Sequence, residues 1–392
     1  MIPKGFFFNA VSCGIKAPDR LDLGLIYCPQ EAVCAGVFTR NLVKAAPVLL
    51  GQEIVKKKVA RAILVNSGCA NACTGERGLE QAQTLLKALA QELDLLPDSI
   101  LPASTGVIGA YLPLEKMLPK LRELGQGLAP DKYELVARAM MTTDTFPKVV
   151  TQTVEIGQGQ GQILGLAKGA GMIAPNMATM LAFILSDVEI PAEDLEGLLK
   201  EAVARSFNRI TIDGDTSTND TVYALASGKS GLSLTAGSQG YESFKEAFIK
   251  VCRDLAYLIV KDGEGANKTV CIKVAGAKNE DEAEILAKTV ANSLLVKTAI
   301  FGEDPNWGRI LAAMGRCGVF FNPYRVNIFI GPIQIVKDGL GLGTKEEQKA
   351  HEIMTKDEFD ILIDLQMGHA QAEIITCDLS YDYVKINAEY RT

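Results

Sequence analysis

The feature that most constrains the fold is an apolar stretch in the middle of the chain, entered from a glycine-rich turn. Residues 165–176 contain three glycines, Lys168 and a Pro-Asn pair, a composition that favours turns. Residues 177–185 are apolar except for the single hydroxyl of Thr179. Such a run predicts a buried strand or the first turns of a buried helix, because periodicity does not separate the two. Thr179 is then either an ordinary core residue or a nucleophile held in a buried setting.

The length and the pattern of the chain predict several domains of mixed class. At 392 residues the chain exceeds the ~100–200 residues of one ordinary domain. Apolar strand-like runs alternate with helical patterns throughout, which indicates a mixed α/β (α+β) protein. We expect a core domain at 1–190, a smaller α+β domain at 191–280 and a C-terminal α+β domain at 281–392.

Charge and composition narrow the classes of partner. The net charge of -7 and the absence of a basic cluster argue against nucleic acid or an anionic membrane as a partner. No long apolar segment or signal-like N-terminus stands in the sequence, so we expect a cytoplasmic protein. The nine cysteines include no C-x-x-C pair and are expected to be reduced core residues. The two histidines disfavour imidazole-based catalysis and most transition-metal sites, so no metal is expected.

Local patterns predict individual elements. The run of alternating glycine and glutamine at 157–162 lacks the Gly-Lys-Ser/Thr ending of a phosphate loop and is expected to be a hairpin turn. The acidic segment 213–220 lacks the glycine and glutamate of an EF-hand and is expected to be a hydrogen-bonded turn. The tail at 383–392 alternates as a strand does. Helices are predicted at 79–93, 132–141, 191–206, 241–260 and 281–296.

The scarcity of histidine directs attention to a threonine that uses its own α-amine as the base. An α-amine has a pKa of about 7.7–8.0, so it accepts and returns a hydroxyl proton near neutral pH. It becomes free only if the preceding peptide bond is cut, and the small Ala178 leaves that bond open to attack by the Thr179 hydroxyl. The tetrahedral oxygen needs fixed donors, and Thr105 and Gly106 offer a hydroxyl and an unencumbered backbone N–H side by side.

Several long motifs then resemble one family, the ornithine acetyltransferases, also called glutamate N-acetyltransferases, of cyclic arginine biosynthesis. The similarity covers nearly the whole chain. It lies in NSGCANACTG (66–75), PASTGVIG (102–109), TTDTFPK (142–148), KGAGMIAPNMATML (168–181), TIDGDTSTNDT (211–221), DGEGANK (262–268), GEDPNWGRI (302–310) and the terminal NAEYRT.

The resemblance implies a precursor that cuts itself between Ala178 and Thr179 into an α chain (1–178) and a β chain (179–392). Two copies of each chain would assemble. The fold would be a layered sandwich of β-sheets flanked by helices around the new N-terminal threonine. Thr179 would carry the acetyl group, and Thr105 with Gly106 would form the oxyanion hole. The substrate-binding positions implied by the family are Thr145, Lys168, Thr179, Glu264, Asn387 and Thr392.

The resemblance also implies the substrates, N-acetylornithine and glutamate, with no bound cofactor. Acetyl-CoA is a second candidate donor that the motifs do not decide. Two alternatives stay open: an amidase or aminopeptidase with the same nucleophile that passes the acyl group to water, and an amino-acid-binding protein in which Thr179 is a core residue.

Overall fold

The structure of the protein is a computed structural model that describes residues 1–174 and 180–389. Its strands are β1 (Phe7–Val11), β2 (Leu23–Phe38), β3 (Val59–Cys69), β4 (Ile100–Val107), β5 (Lys148–Ile156), β6 (Gly159–Lys168), β7 (Leu181–Ser186), β8 (Ile210–Thr211), β9 (Thr221–Ala226), β10 (Thr269–Ala277), β11 (Asn327–Ile330), β12 (Ile333–Lys337), β13 (Leu340–Gly341), β14 (Glu358–Asp364) and β15 (Ala370–Cys377). Its helices are α1 (Ala46–Ile54), α2 (Gly75–Leu93), α3 (Leu114–Met117), α4 (Leu121–Gln126), α5 (Tyr133–Met140), α6 (Ala192–Ala204), α7 (Tyr241–Lys261), α8 (Glu280–Ala291), α9 (Leu294–Phe301), α10 (Trp307–Gly315), α11 (Thr344–Met354) and α12 (Tyr381–Glu389).

The first sheet has the order β4-β3-β2-β9-β7-β6-β5, with β1 paired to β2. The pairs β3–β4 and β7–β9 are parallel, and the other neighbours are antiparallel. Every residue of β7 is buried. Leu181 and Phe183 enter the core on one face, while Ala182 and Ile184 enter the core on the other. Residues 181–186 are thus a strand, and burial on both faces explains why this apolar run shows no alternation.

Helices cover both faces of this sheet. Helices α1, α2 and α5 pack on one side, and α6 and α7 pack on the other. A Cβ at Gly165 of β6 would lie 2.6 Å from side-chain atoms of both Val251 and Leu255, so the missing side chain lets α7 approach the sheet closely.

The second sheet has the order β13-β12-β11-β14-β10-β15-β8, and α8 packs on β10 and β15. Helix α7 contacts β5 and β6 of the first sheet and β15 of the second, so it lies between the two. The predicted mixed class is confirmed as two mixed sheets flanked by helices. Among the described residues, no helix has the length and apolar character needed to cross a membrane.

Four of the five predicted helices occur within a few residues of their expected bounds. They are α2, α5, α6 and α7. The predicted hairpin turn is also present, since β5 and β6 pair antiparallel from Ile156 and Gly159. The segment predicted as one helix at 281–296 is α8 and the start of α9, separated at residues 292–293. The division into three domains stays a prediction; β9, from within 191–280, lies inside the first sheet.

The strand prediction for the tail is wrong over residues 383–389, which belong to α12. Ser380 precedes this helix, and its hydroxyl accepts from the Tyr383 N–H at 3.4 Å, an N-cap position. Alternation over so few residues is also compatible with a helix. A helix satisfies its own backbone groups, whereas a strand needs a neighbour to pair with.

Candidate active site

One cavity of about 210 Å³ collects five of the residues that the sequence assigns to the site. Thr105, Gly106, Lys168, Glu264 and Asn387 all line it. They come from the end of β4, the end of β6, the loop after α7 and helix α12. Residues distant in the chain therefore converge on one small polar space.

Of the described predicted positions, Thr145 is not among the residues that line this cavity. Ala178, Thr179 and Thr392 lie outside the described residues. Thr145 donates both its N–H and its hydroxyl to the Asp262 carboxylate, the N–H at 3.0 Å from Oδ2. The hydroxyl of Thr145 is thus engaged by an internal acid.

Gly106 stands where β3 and β4 approach each other most closely. Its φ is +129°, and a Cβ there would lie 2.5 Å from the Cys69 nitrogen. Both facts require glycine. The neighbouring loop is fixed by Asn219, whose side-chain amide donates to the carbonyls of Ala70 (2.7 Å) and Ser104 (2.9 Å). Thr105 and Gly106 are consequently held by a rigid backbone at the cavity wall.

Lys168 points its ammonium at Thr105. Nζ donates to Thr105 Oγ1 at 3.3 Å and lies 4.0 Å from Asp144 Oδ2. Burial lowers the pKa of Lys168, and the Asp144 charge opposes that shift. The cation predicted from the sequence is present, and its nearest partners are a hydroxyl and a buried carboxylate.

Asp144 belongs to a buried cluster that the sequence analysis missed. Fully buried Lys148 bonds Asp144 Oδ1 at 2.7 Å and Asp262 Oδ2 at 2.6 Å. Asp144 also accepts from the backbone N–H of Gly169 at 2.7 Å. Burial opposes ionisation of Asp144, but the charges of Lys168 and Lys148 outweigh it and hold the pKa of this carboxyl well below its usual range. The Asp-x-x-x-Lys spacing of Asp144 and Lys148 is visible in the sequence, whereas the ion pair between Lys148 and Asp262 is not.

Glu264 presents a carboxylate at the cavity. Its backbone N–H donates to the Ala170 carbonyl at 2.8 Å, and Asn387 Nδ2 donates to its Oε2, also at 2.8 Å. A Cβ on Gly171 would overlap this carboxylate, so the glycine makes room for it. The amide of Asn387 fixes the direction of the Glu264 carboxylate.

Two further carboxylates hold the chain on either side of residues 175–179. Asp213 accepts from the N–H groups of Met172 (2.6 Å) and Ile173 (3.0 Å), and Asp220 accepts from that of Met180 at 3.0 Å. Burial raises the pKa of Asp213, and it raises that of Asp220 well above its ordinary value. The predicted hydrogen-bonded turn at 213–220 is confirmed, and it anchors the central stretch.

Comparison with known proteins gives a consistent picture over the whole length. The sequence profile of the ArgJ family matches residues 7–392. The arginine biosynthesis bifunctional protein ArgJ of Desulfotalea psychrophila is 53% identical over 390 residues, 99% of each chain. The glutamate N-acetyltransferase of Methanocaldococcus jannaschii is 44% identical over 401 residues, covering 100% of this chain and 98% of that protein.

A solved structure agrees with these sequence matches. The arginine biosynthesis bifunctional protein argJ from Bacillus halodurans superposes with a TM-score of 0.51 at 42% identity. The match covers 53% of this chain and 98% of the solved one.

Proposed function

The chain belongs to the ArgJ family, and from this premise we propose that it transfers the acetyl group of N-acetylornithine to glutamate, giving ornithine and N-acetylglutamate. The observation that carries the proposal is the convergence of Thr105, Gly106, Lys168 and Glu264 on one cavity. Lys168 is the last residue of β6, the strand that precedes residue 179 in the chain. The relatives named above support the same activity.

We propose Thr179 as the acetyl carrier in a two-step cycle. Its hydroxyl attacks the acetyl carbon of N-acetylornithine while its α-amine takes the hydroxyl proton. The C–N bond then breaks, the amine returns the proton to the leaving nitrogen, and ornithine departs. Glutamate's amine attacks the acetyl ester in the reverse sense, and N-acetylglutamate leaves. Thr105 and Gly106 are the proposed donors to the oxyanion of both tetrahedral intermediates.

The substrate-binding assignments follow from the chemistry of the two amino acids. N-acetylornithine and glutamate share an α-carboxylate, for which Lys168 is the proposed cation. Glu264, directed by Asn387, suits the ammonium of ornithine. Thr145 and Thr392 complete the proposed set. This mechanism requires no bound cofactor, and acetyl-CoA is proposed as an additional donor because several relatives are named bifunctional.

We also propose that Thr179 is freed by self-cleavage after Ala178 and that two α and two β chains assemble. The solved relative supports a cut near the middle, because nearly all of its chain matches about half of this one. Such a cut would fall between β6 and β7, which are adjacent strands of the first sheet.

The test is steady-state transfer from N-acetylornithine at several glutamate concentrations, with Thr179→Ala as the control. A covalent acetyl-enzyme cycle should give parallel double-reciprocal lines, a single turnover of ornithine release without glutamate, and continued ornithine release only with glutamate. Acetate release without an acceptor would instead identify a hydrolase. Glutamate acetylation with acetyl-CoA as sole donor decides the second donor.

A further inference from the structure

A row of buried charged groups leads from the interior to the proposed oxyanion hole. Asp262 and Asp144 hold the Lys148 ammonium between them at 2.6 and 2.7 Å. The other oxygen of Asp144 faces Lys168 Nζ at 4.0 Å, and that ammonium donates to Thr105 Oγ1 at 3.3 Å. All five side chains are buried. The row alternates in sign, so each charge stabilises the next.

The last contact of this row determines where the Thr105 proton points. A hydroxyl has one proton and two acceptor positions. Since Oγ1 accepts from Lys168, its own proton is directed elsewhere, and no acceptor for it occurs in the described part of the chain. Thr105 lines the cavity, so this proton is available to an oxygen bound there. Donation from an ammonium also polarises the hydroxyl and strengthens its outgoing bond.

We propose that Asp144 is a positioning residue for the oxyanion hole: it keeps the Lys168 ammonium charged and against the Thr105 hydroxyl, which then donates to the acyl oxygen. The inference rests on the proposed function and adds a role to Lys168. An ammonium has three N–H donors. One serves Thr105, one faces Asp144, and the third remains for the substrate carboxylate.

Asp144 is the group whose charge matters most for Lys168. The titratable groups facing Lys168 are Asp144, Lys148, Glu264, Asp220 and, through the same cluster, Lys16. Replacing Asp144 by asparagine leaves Lys148 paired with Asp262 but removes the nearest counter-charge of Lys168. The pKa of Lys168, already lowered by burial, should fall further. As pH rises, Asp144→Asn should therefore lose activity at a lower pH than the unaltered enzyme does, because the neutral amine of Lys168 no longer polarises Thr105.

The experiment compares Asp144→Asn with Asp187→Asn in acetyl transfer. Asp187 is a matched control, since it is buried and its carboxylate also accepts backbone N–H groups, from Lys4 (3.1 Å) and Gln162 (2.8 Å). At a pH where Lys168 stays protonated in both proteins, Asp144→Asn should lower kcat by about 10- to 100-fold with little change in KM for glutamate, and it should move the alkaline limb of kcat to lower pH. Asp187→Asn should leave that limb in place.

A double-mutant cycle makes the test specific. In a Thr105→Val background the loss caused by Asp144→Asn should largely disappear, because the hydroxyl through which Asp144 acts is gone. Additive losses would overturn the inference and make Asp144 a structural residue. If Asp144→Asn does not fold, the test compares the pH profile of the unaltered enzyme with that of Thr105→Val. The loss of activity at high pH should be smaller in Thr105→Val than in the unaltered enzyme. Absence of transfer by the unaltered enzyme would instead refute the proposed function itself.

Discussion

At the scale of single residues, the proposed oxyanion hole has only two hydrogen-bond donors for the reacting oxygen. The Thr105 hydroxyl and the Gly106 N–H are the proposed donors, and Lys168 lies behind the first of them at 3.3 Å. Such donors act mainly on charge that develops in the transition state, so their removal should affect turnover more than substrate affinity.

Replacing Thr105 by alanine therefore should cost about 10²–10³ in kcat and leave KM nearly unchanged. Thr153→Ala is a suitable control, because Thr153 is also a strand residue whose hydroxyl bonds a side chain, Gln162 Oε1 at 2.8 Å. Steady-state kinetics of both variants provide the measurement. A Thr105→Ala defect confined to KM would assign this residue to substrate binding.

The acid limb of activity should report the α-amine of Thr179. Its ammonium form cannot accept the hydroxyl proton, so kcat/KM should fall as pH decreases below the amine's pKa, near ~7.7–8.0 if unperturbed. The profile should be recorded with N-acetylornithine together with thermal transitions over the same range, which separate titration from unfolding. A rate that stays flat down to about pH 6 would contradict the α-amine as base.

At the scale of elements, the ends of β3 and β4 hold the proposed oxyanion hole in shape. Their parallel pairing continues through Ser67–Thr105 and Gly68–Gly106, with a register shift at Cys69. The shift brings the Gly68–Cys69 peptide against Gly106, where only glycine fits.

Gly106→Ala should consequently lower the free energy of unfolding by about 2–4 kcal/mol and abolish most of the transfer activity, since both the backbone conformation and the strand contact are lost. Gly109→Ala separates these causes. Gly109 also has a positive φ, +83°, but a Cβ there would meet no atom within 4 Å. It should cost only the strain of about 1–2 kcal/mol. Denaturant unfolding of the two variants gives the comparison, and equal losses would refute the close-contact argument.

At the scale of the whole molecule, the first sheet interleaves the two halves of the chain. Strands β9 and β7, which follow the proposed cleavage point, lie between β2 and β6, which precede it. Cleavage would leave one continuous sheet built from both products. Their separation would require breaking central backbone pairing and both hydrophobic cores.

Purified protein should then behave as one species under native conditions and separate only after denaturation, into chains of about 19 and 23 kDa by scaling 42.1 kDa to residues 1–178 and 179–392. N-terminal sequencing of the heavier chain should begin Thr-Met-Leu-Ala-Phe. Thr179→Ala should remain one folded, inactive chain, and Thr179→Ser, which keeps a hydroxyl, should retain some cleavage. A folded Thr179→Ala protein that still splits or still transfers acetyl groups would return Thr179 to the status of a core residue.

The sequence by itself determined the class of the protein, most of its helices and the chemistry of its motifs. These are local properties: periodicity marks the buried faces, and the types of residue in a motif limit the reactions available to it. Thr105-Gly106 could be named in this way, and Lys168 and Glu264 could be named from the resemblance of their motifs to the family. The strand at 181–186 could not be distinguished from a helix, because burial on both faces removes the alternation that would have identified it.

Only the tertiary structure decided which of these residues meet and what holds them. Lys148 and Asp262 are 114 positions apart, and Lys168 and Thr105 are 63 apart. Their contacts follow from sheet order and helix packing, which no local pattern encodes. The same reason applies to Asp144, whose spacing from Lys148 resembles a common surface pair. Its burial between two lysines, which makes it part of the site, exists only after β6 and the helices around it have packed.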